Sequence, residues 1–211
     1  MTCGDGGASK PGMFTLTKVN ISFSLPVPTI LIRIAVWILL LYRRLRYGYP
    51  FRRIKLTRGK YAKVDQDDFE RLNRHNWQAV GSRGAYYAKR TVFRNAKPFD
   101  QYMHRVVCPA PPGMVVDHIN RDALDNRKVN LRPATQKQNT WNRDHGKKNA
   151  TSTYKGVFWD KRRAKWQVRL HHNGRSLYLG LYADEIEAAK AYDRAAKKYR
   201  GEYAFLNFPK K

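Results

Sequence analysis

Residues 115–143, VVDHINRDALDNRKVNLRPATQKQNTWNR, place Asp117 and His118 side by side and follow them with five asparagines, Asn130 and Asn139 among them. A hard divalent cation such as magnesium prefers oxygen ligands. The Asp117 carboxylate and the Asn139 amide oxygen suit such an ion, with water and phosphate filling its other positions. His118 belongs to the residue type that titrates near neutrality, so it can take a proton from an attacking water. The ion would then stabilise the charge growing on a phosphate and on a leaving 3′ oxygen. Asn130, an amide that donates and accepts but is no base, suits the bracing of a loop backbone, with Asn126 a competing candidate for that task. Adjacent strand residues face opposite sides, so Asp117 can hold a metal while His118 reaches a reactant.

These side chains need elements to carry them. The turn APPG at 110–113 precedes an expected strand over 114–119, which ends on the Asp-His pair. A polar loop over 120–128 follows, and 129–134 returns as a short second strand. Thr135 with Gln138 three residues later forms a capping-box pattern that opens a helix running to about Arg143. On that helix Asn139, Asn142 and Arg143 share a face. Upstream, strands are expected near 54–57, 61–64 and 85–92. A short helix lies between them, capped by Asp65 or Asp67, with Phe69, Leu72 and Trp77 turned inward. Tyr86 and Tyr87 read as sheet residues. His104 receives no chemical role, and His75, His145, His171 and His172 lack ligand spacing and read as surface or linker residues.

The whole chain has 211 residues and 42 Lys+Arg against 16 Asp+Glu, a formal net charge of +26. The excess is +5 over residues 1–50, +13 over 51–150 and +8 over 151–211, so it is not confined to a tail. Cations interleaved with 13% aromatic residues favour nucleic acid over a membrane surface as the polyanionic partner. With only Cys3 and Cys108, a four-cysteine zinc cluster is ruled out and a disulfide framework is disfavoured. The hydrophobic run at 29–42, TILIRIAVWILLLY, would span about 21 Å as a helix against a hydrocarbon core of about 30 Å. It is short for a membrane anchor, and the arginines at 43, 44 and 46 stand where a signal peptide would need small residues.

After RDHGKKNATST at 143–153, which lacks apolar periodicity, the pattern changes to alternation over 154–159, 165–172 and 176–182. HNGR at 172–175 makes a hairpin turn through Gly174. A helix over 183–201 begins with acids, ends with bases and stops at a glycine, with Ile186, Ala189, Tyr192 and Ala196 on its inner face.

The order of Asp117-His118, Asn130 in VNL and Asn139 in QKQN resembles the HNH endonucleases and their ββα-metal fold, in particular an asparagine-terminated branch among phage and intron homing enzymes. The resemblance implies Asp117 and Asn139 as metal ligands, His118 as general base, Asn130 as structural asparagine, and hydrolysis of DNA phosphodiesters with a divalent metal, Mg²⁺ by preference. The tail resembles the APETALA2/ethylene-response-factor domain through YKGV at 154–157, KWQVRL at 165–170, LGLY at 179–182, EAAKAYDRAA at 187–196 and RGEYAFLNFP at 200–209. That family reads DNA with its sheet, which nominates Lys155, Arg169, His171, Arg175 and Tyr178 as contacts. Trp159 and Trp166 either extend that surface or pack. Phe158 and Asp160 fall where plant members often carry arginine, so base preference does not transfer.

The expected class is α+β: a leader over 1–50, a nuclease domain over 51–145 whose ββα core spans 114–143 behind a small β-rich region, a linker over 146–153, and a three-stranded antiparallel sheet with one helix over 154–211. The expected partner is double-stranded DNA in the cytoplasm of a phage-infected or bacterial cell, with the chain a monomer or weak dimer. The rival class is a noncatalytic DNA-binding regulator on an inherited nuclease scaffold.

Overall fold

The computed structural model describes residues 29–82, 85–143 and 151–209. Cys3, His145 and linker residues 146–150 lie outside the described residues. Two compact units divide the chain at Leu39, within helix α1 (Thr29–Tyr47). Most apolar side chains of α1, including Ile30, Ile34 and Trp37, are exposed, and among the described residues no helix is long and apolar enough to cross a membrane.

In the second unit, β1 (Arg52–Lys55) pairs antiparallel with β2 (Tyr61–Val64), and α2 (Gln66–Asn73) packs against β1. Asp65 stands at the N-cap of α2, but its carboxylate accepts instead from the Lys128 backbone N–H. β3 (Gln78–Ser82), β4 (Ala85–Arg94) and β5 (Lys97–Tyr102) form an antiparallel sheet, followed by α3 (Met103–Val107). β3, β5 and α3 have no counterpart among the expected elements. Leu72 and Trp77 are buried as expected, while Phe69 is half-buried with the Arg52 guanidinium over its ring.

β6 (Val115–His118) pairs antiparallel with β7 (Leu131–Ala134), with a 3₁₀ turn at Lys128–Asn130, and α4 (Gln136–Asn142) follows. This ββα unit contributes only Val116 and Leu131 to a core otherwise built from Ile54, Leu56, Ala62, Val64, Leu72, Trp77, Ala79, Ala88, Met103 and Val107. At about 1.5–3 kcal/mol for each large buried side chain, two such residues cannot offset the chain entropy of some thirty. The β-rich region is therefore the platform on which the ββα unit is built.

The C-terminal sheet has the order β10 (Arg175–Tyr182), β9 (Lys165–His172), β8 (Val157–Asp160), all antiparallel, and α5 (Glu185–Arg200) covers one face. Asn173 and Gly174, both at positive φ, turn the β9–β10 hairpin. Asp184 caps α5 by accepting from the Glu187 N–H, and Gly201 ends it at φ +56°. Ala188, Ala189, Tyr192 and Ala196 are buried against Val157, Val168 and Leu170, whereas Ile186 is 45% exposed and does not face the sheet. Residues 151–153 do not behave as a linker: the Thr151 hydroxyl accepts from Trp159 N, and buried Ser152 donates to Glu185 at 2.6 Å and accepts from Tyr154 N.

Candidate active site

The β6–β7 register sets Asp117 opposite Arg132 and His118 opposite Leu131. The loop between the strands is fastened at two places. Asn130 spans it from inside: its Oδ1 accepts from Asn120 N at 2.9 Å and its Nδ2 donates to the Asp125 carbonyl at 2.8 Å. From outside, β2 holds it, since Lys63 N donates to Leu124 O, Asn126 N donates to Lys63 O, and the Lys63 ammonium pairs with Asp122. The Asn126 backbone joins the loop to β2 and its Nδ2 donates to the Leu124 carbonyl at 3.3 Å, while the Asn130 side chain spans the loop from Asn120 to Asp125. Asn130 does not line the cleft, so its part is positional. Within the loop, burial opposes ionisation of Asp125, but the paired hydrogen bonds and charge of Arg127 hold its carboxyl below the ordinary range.

Thr135 and Gln138 complete the capping box that starts α4. The helix delivers Asn139 and Asn142 to a cleft of about 270 Å³, where Asp117, His118, Tyr87 and Arg121 also meet. Asn142 Nδ2 donates to Asp117 Oδ1 at 3.0 Å and to the His118 carbonyl at 2.9 Å. Arg132 donates through Nε at 3.0 Å and Nη2 at 2.8 Å to Asp117 Oδ2. The strand ends at His118, so both members of the pair line one cleft rather than two opposite faces.

His118 is buried, with the Asn126 side chain hydrogen-bonded to its ring. Burial holds the ring below its ordinary pKa, against the opposing influence of Asn126 and the Asp117, Asp122 and Asp125 carboxylates. Its neutral, proton-accepting form therefore predominates at neutral pH. His104 packs edge-on to His118 with ring centres 5.2 Å apart, inside a cluster completed by Tyr87 and Tyr102. Burial first, then the His118 and Arg105 charges, push His104 down to about 3.

Sequence reasoning overlooked several of these residues. Asn142 was placed on the Asn139 face without a role, Tyr87 was assigned to sheet packing, and Arg132 was not singled out. The three- and four-residue spacing on α4 was the available signal for Asn142. Nothing local marked Tyr87 or Arg132.

Asp117 and Asn139 supply oxygen donors, the kind a hard cation takes. Among the described residues no group of three or more His, Cys, Asp and Glu side chains could hold a metal ion. A single carboxylate and one amide oxygen around an open cleft match an ion that keeps most of its shell in water and phosphate. Asp117 Oδ1 receives only the Asn142 bond and retains acceptor capacity.

On the C-terminal sheet, cross-strand pairing puts Arg169 opposite Tyr178 and His171 opposite Ser176, all four exposed on the face away from α5. Trp159 lies opposite Trp166 on the helix side, where the two rings pack edge-to-face at 4.9 Å. Arg175 is exposed but sits opposite His172, on that same side. Lys155 is no outward contact: it is 9% exposed and its ammonium donates to the Trp141 and Arg143 carbonyls. His172 is no surface residue either, because its ring is stacked on Trp141 and packs against Tyr199.

Residues 101–140 match the HNH endonuclease family, and residues 152–202 match the AP2 domain. Protein 3.8 of Escherichia phage T7 is 34% identical over 46% of this chain and 78% of its own length. The AP2-like ethylene-responsive transcription factors At2g41710 and At1g16060 of Arabidopsis thaliana are 44% and 37% identical over 28% and 41% of this chain. The chain spans only 13% and 25% of those two plant proteins.

Proposed function

Because the chain belongs to the same family as Protein 3.8 of phage T7 and joins an HNH endonuclease domain to an AP2 domain, we propose that it is a metal-dependent, homing-type DNA endonuclease. Its C-terminal sheet holds double-stranded DNA while the cleft at Asp117 and His118 cuts it. The observation that carries this reading is the meeting of Asp117, His118 and Asn139 in one cleft.

His118, neutral at physiological pH, takes the proton of the attacking water. Asn142, donating to the His118 carbonyl and to Asp117, fixes the end of β6 from which both side chains project. Asp117 and Asn139 would hold a divalent cation, Mg²⁺ by its preference for oxygen. Bound there, the ion supplies electrostatic stabilisation of the phosphate and of the departing 3′ oxygen. Arg121, exposed at the cleft rim, suits a flanking phosphate. On the sheet, Arg169, His171 and Tyr178 present charge and an aromatic plane outward, and the overall charge of +26 supplies the sequence-independent attraction. One copy of the site cuts one strand per encounter, so a monomer nicks and two copies are needed for a double-strand break.

The test is nicking of supercoiled plasmid carrying the native genomic neighbourhood, with Mg²⁺ or with chelator, by the parent and by His118→Ala. The variant should bind DNA as the parent does and lose about 10²-fold or more in rate, the usual contribution of a positioned general base. Parental cutting by His118→Ala would remove the base from His118. A parent chain inert with every divalent ion would favour the DNA-binding regulator instead.

A further inference from the structure

The walls of the cleft are fastened by the domain that follows it. Behind Asp117, on β7, the same Arg132 that grips its carboxylate donates through Nη1 to the Glu202 carbonyl at 2.7 Å, and its guanidinium lies 4.2 Å from the centre of the Tyr203 ring. The Tyr203 hydroxyl donates to the Pro133 carbonyl at 3.0 Å. On the α4 wall, the Lys155 ammonium donates to the Trp141 carbonyl at 3.0 Å and to that of Arg143. The Trp141 ring is stacked on His172, with the Arg200 guanidinium over it.

Each contact supplies something the nuclease unit lacks. α4 has seven residues, too few to be stable as an isolated helix, and its last carbonyls have no partners within it. A cation at that end satisfies them and complements the helix dipole. A guanidinium is a planar fork, so holding one edge on Glu202 and its face on Tyr203 fixes where the other edge meets Asp117. The two proposed metal ligands are thus oriented from residues 155–203, Asp117 through Arg132 and Asn139 through the end of α4.

We propose that Tyr203 and Lys155 are positioning residues for the nuclease cleft, and that the C-terminal domain is a structural part of the active site rather than a detachable guide. A tethered guide would alter affinity and leave cutting of bound DNA unchanged. This inference rests on the nuclease reading for its rate measurement but not for its structural one.

The experiment uses the full chain as parent, Tyr203→Ala, Tyr203→Phe and Lys155→Met. DNA affinity is measured in chelator, single-turnover nicking at saturating DNA with Mg²⁺, and hydrogen exchange of the β7 and α4 amides without DNA or metal. Tyr203→Ala and Lys155→Met should keep affinity within about threefold and lose about tenfold or more in rate, as misplacement of reacting groups predicts. Exchange should quicken in β7 for the first and in α4 for the second. Tyr203→Phe, which keeps the ring beneath Arg132, should recover most of the rate and the parental exchange. Parental exchange in both Tyr203→Ala and Lys155→Met overturns the proposal whatever the rates are. So does a fall in rate matched by an equal fall in affinity. A parent chain that never nicks defeats the proposed function, and the exchange measurement still decides this inference.

Discussion

His104 offers a test of how tightly the aromatic cluster behind the cleft is closed. The ring is 7% exposed, and its neighbours are Tyr87, Tyr102 and His118, with the Arg105 charge nearby. Its pKa falls from 6.5 to about 3, chiefly through burial. Because the folded value lies below the unfolded one, the neutral ring contributes stability that is fully present above pH 6.5 and is lost as pH falls toward 3. The slope in that window is about 1.4 kcal/mol per pH unit, so acidification from 6.5 to about 4.5 should cost about 3 kcal/mol from this group. That is a large share of the roughly 5–15 kcal/mol that holds a typical domain. His104→Phe keeps a ring in the cluster and removes the titration. Urea unfolding of parent and variant should give stabilities that run parallel above pH 6.5, with the parent losing about 3 kcal/mol relative to the variant between pH 6.5 and about 4.5. The difference between the chains cancels the carboxylates, which both retain. Curves that stay parallel on acidification would mean that His104 protonates freely in the folded protein, and the closed cluster would have to be abandoned.

Three further outcomes are expected. Asn130→Ala, which strips the Asn120 N–H and the Asp125 carbonyl of their buried partner, should destabilise by about 2–4 kcal/mol in urea titrations and slow cutting through loop disorder; a change under about 0.5 kcal/mol would deny Asn130 the bracing role. Gly156→Ala should destabilise the C-terminal domain by about 3 kcal/mol or more, because the new Cβ would meet the Tyr192 ring at 2.2 Å and the Arg169 carbonyl at 2.7 Å from a backbone at φ +79°; unchanged thermal unfolding would refute that packing. Arg169→Ala should weaken DNA binding and lower the salt slope by about 1, while Arg175→Ala, on the other side of the sheet, should do less; the reverse ranking would show that the helix side of the sheet meets DNA.

The ββα unit was legible where local chemistry sets local structure. Thr135 and Gln138 define the start of α4 by bonds within three residues, and apolar alternation places Asp117-His118 at a strand end and Asn139 one turn into a helix. The C-terminal alternation located β9 to the residue, since a two-residue turn at Asn173-Gly174 dictates the hairpin that follows it. Parity along β8, β9 and β10 was also sufficient to separate Arg169 and Tyr178 from Trp159, once a register was known. β5 was missed because Lys97, Pro98, Asp100 and Gln101 have little strand preference, and pairing with β4 is what makes them a strand.

What the sequence by itself determined is the set of groups at the site and the short elements that carry them, because caps, turns and two-residue periodicity act over a few bonds. Only the tertiary structure decided which groups touch. The partners Arg132 and Asp117 are separated by a loop whose register comes from Asn130 and β2, and His104 reaches His118 only because α3 packs against β4. The fate of Lys155 makes the same point: a lysine beside a glycine turn looks like a surface cation, and it is the carbonyl end of α4, left without partners, that draws it inside.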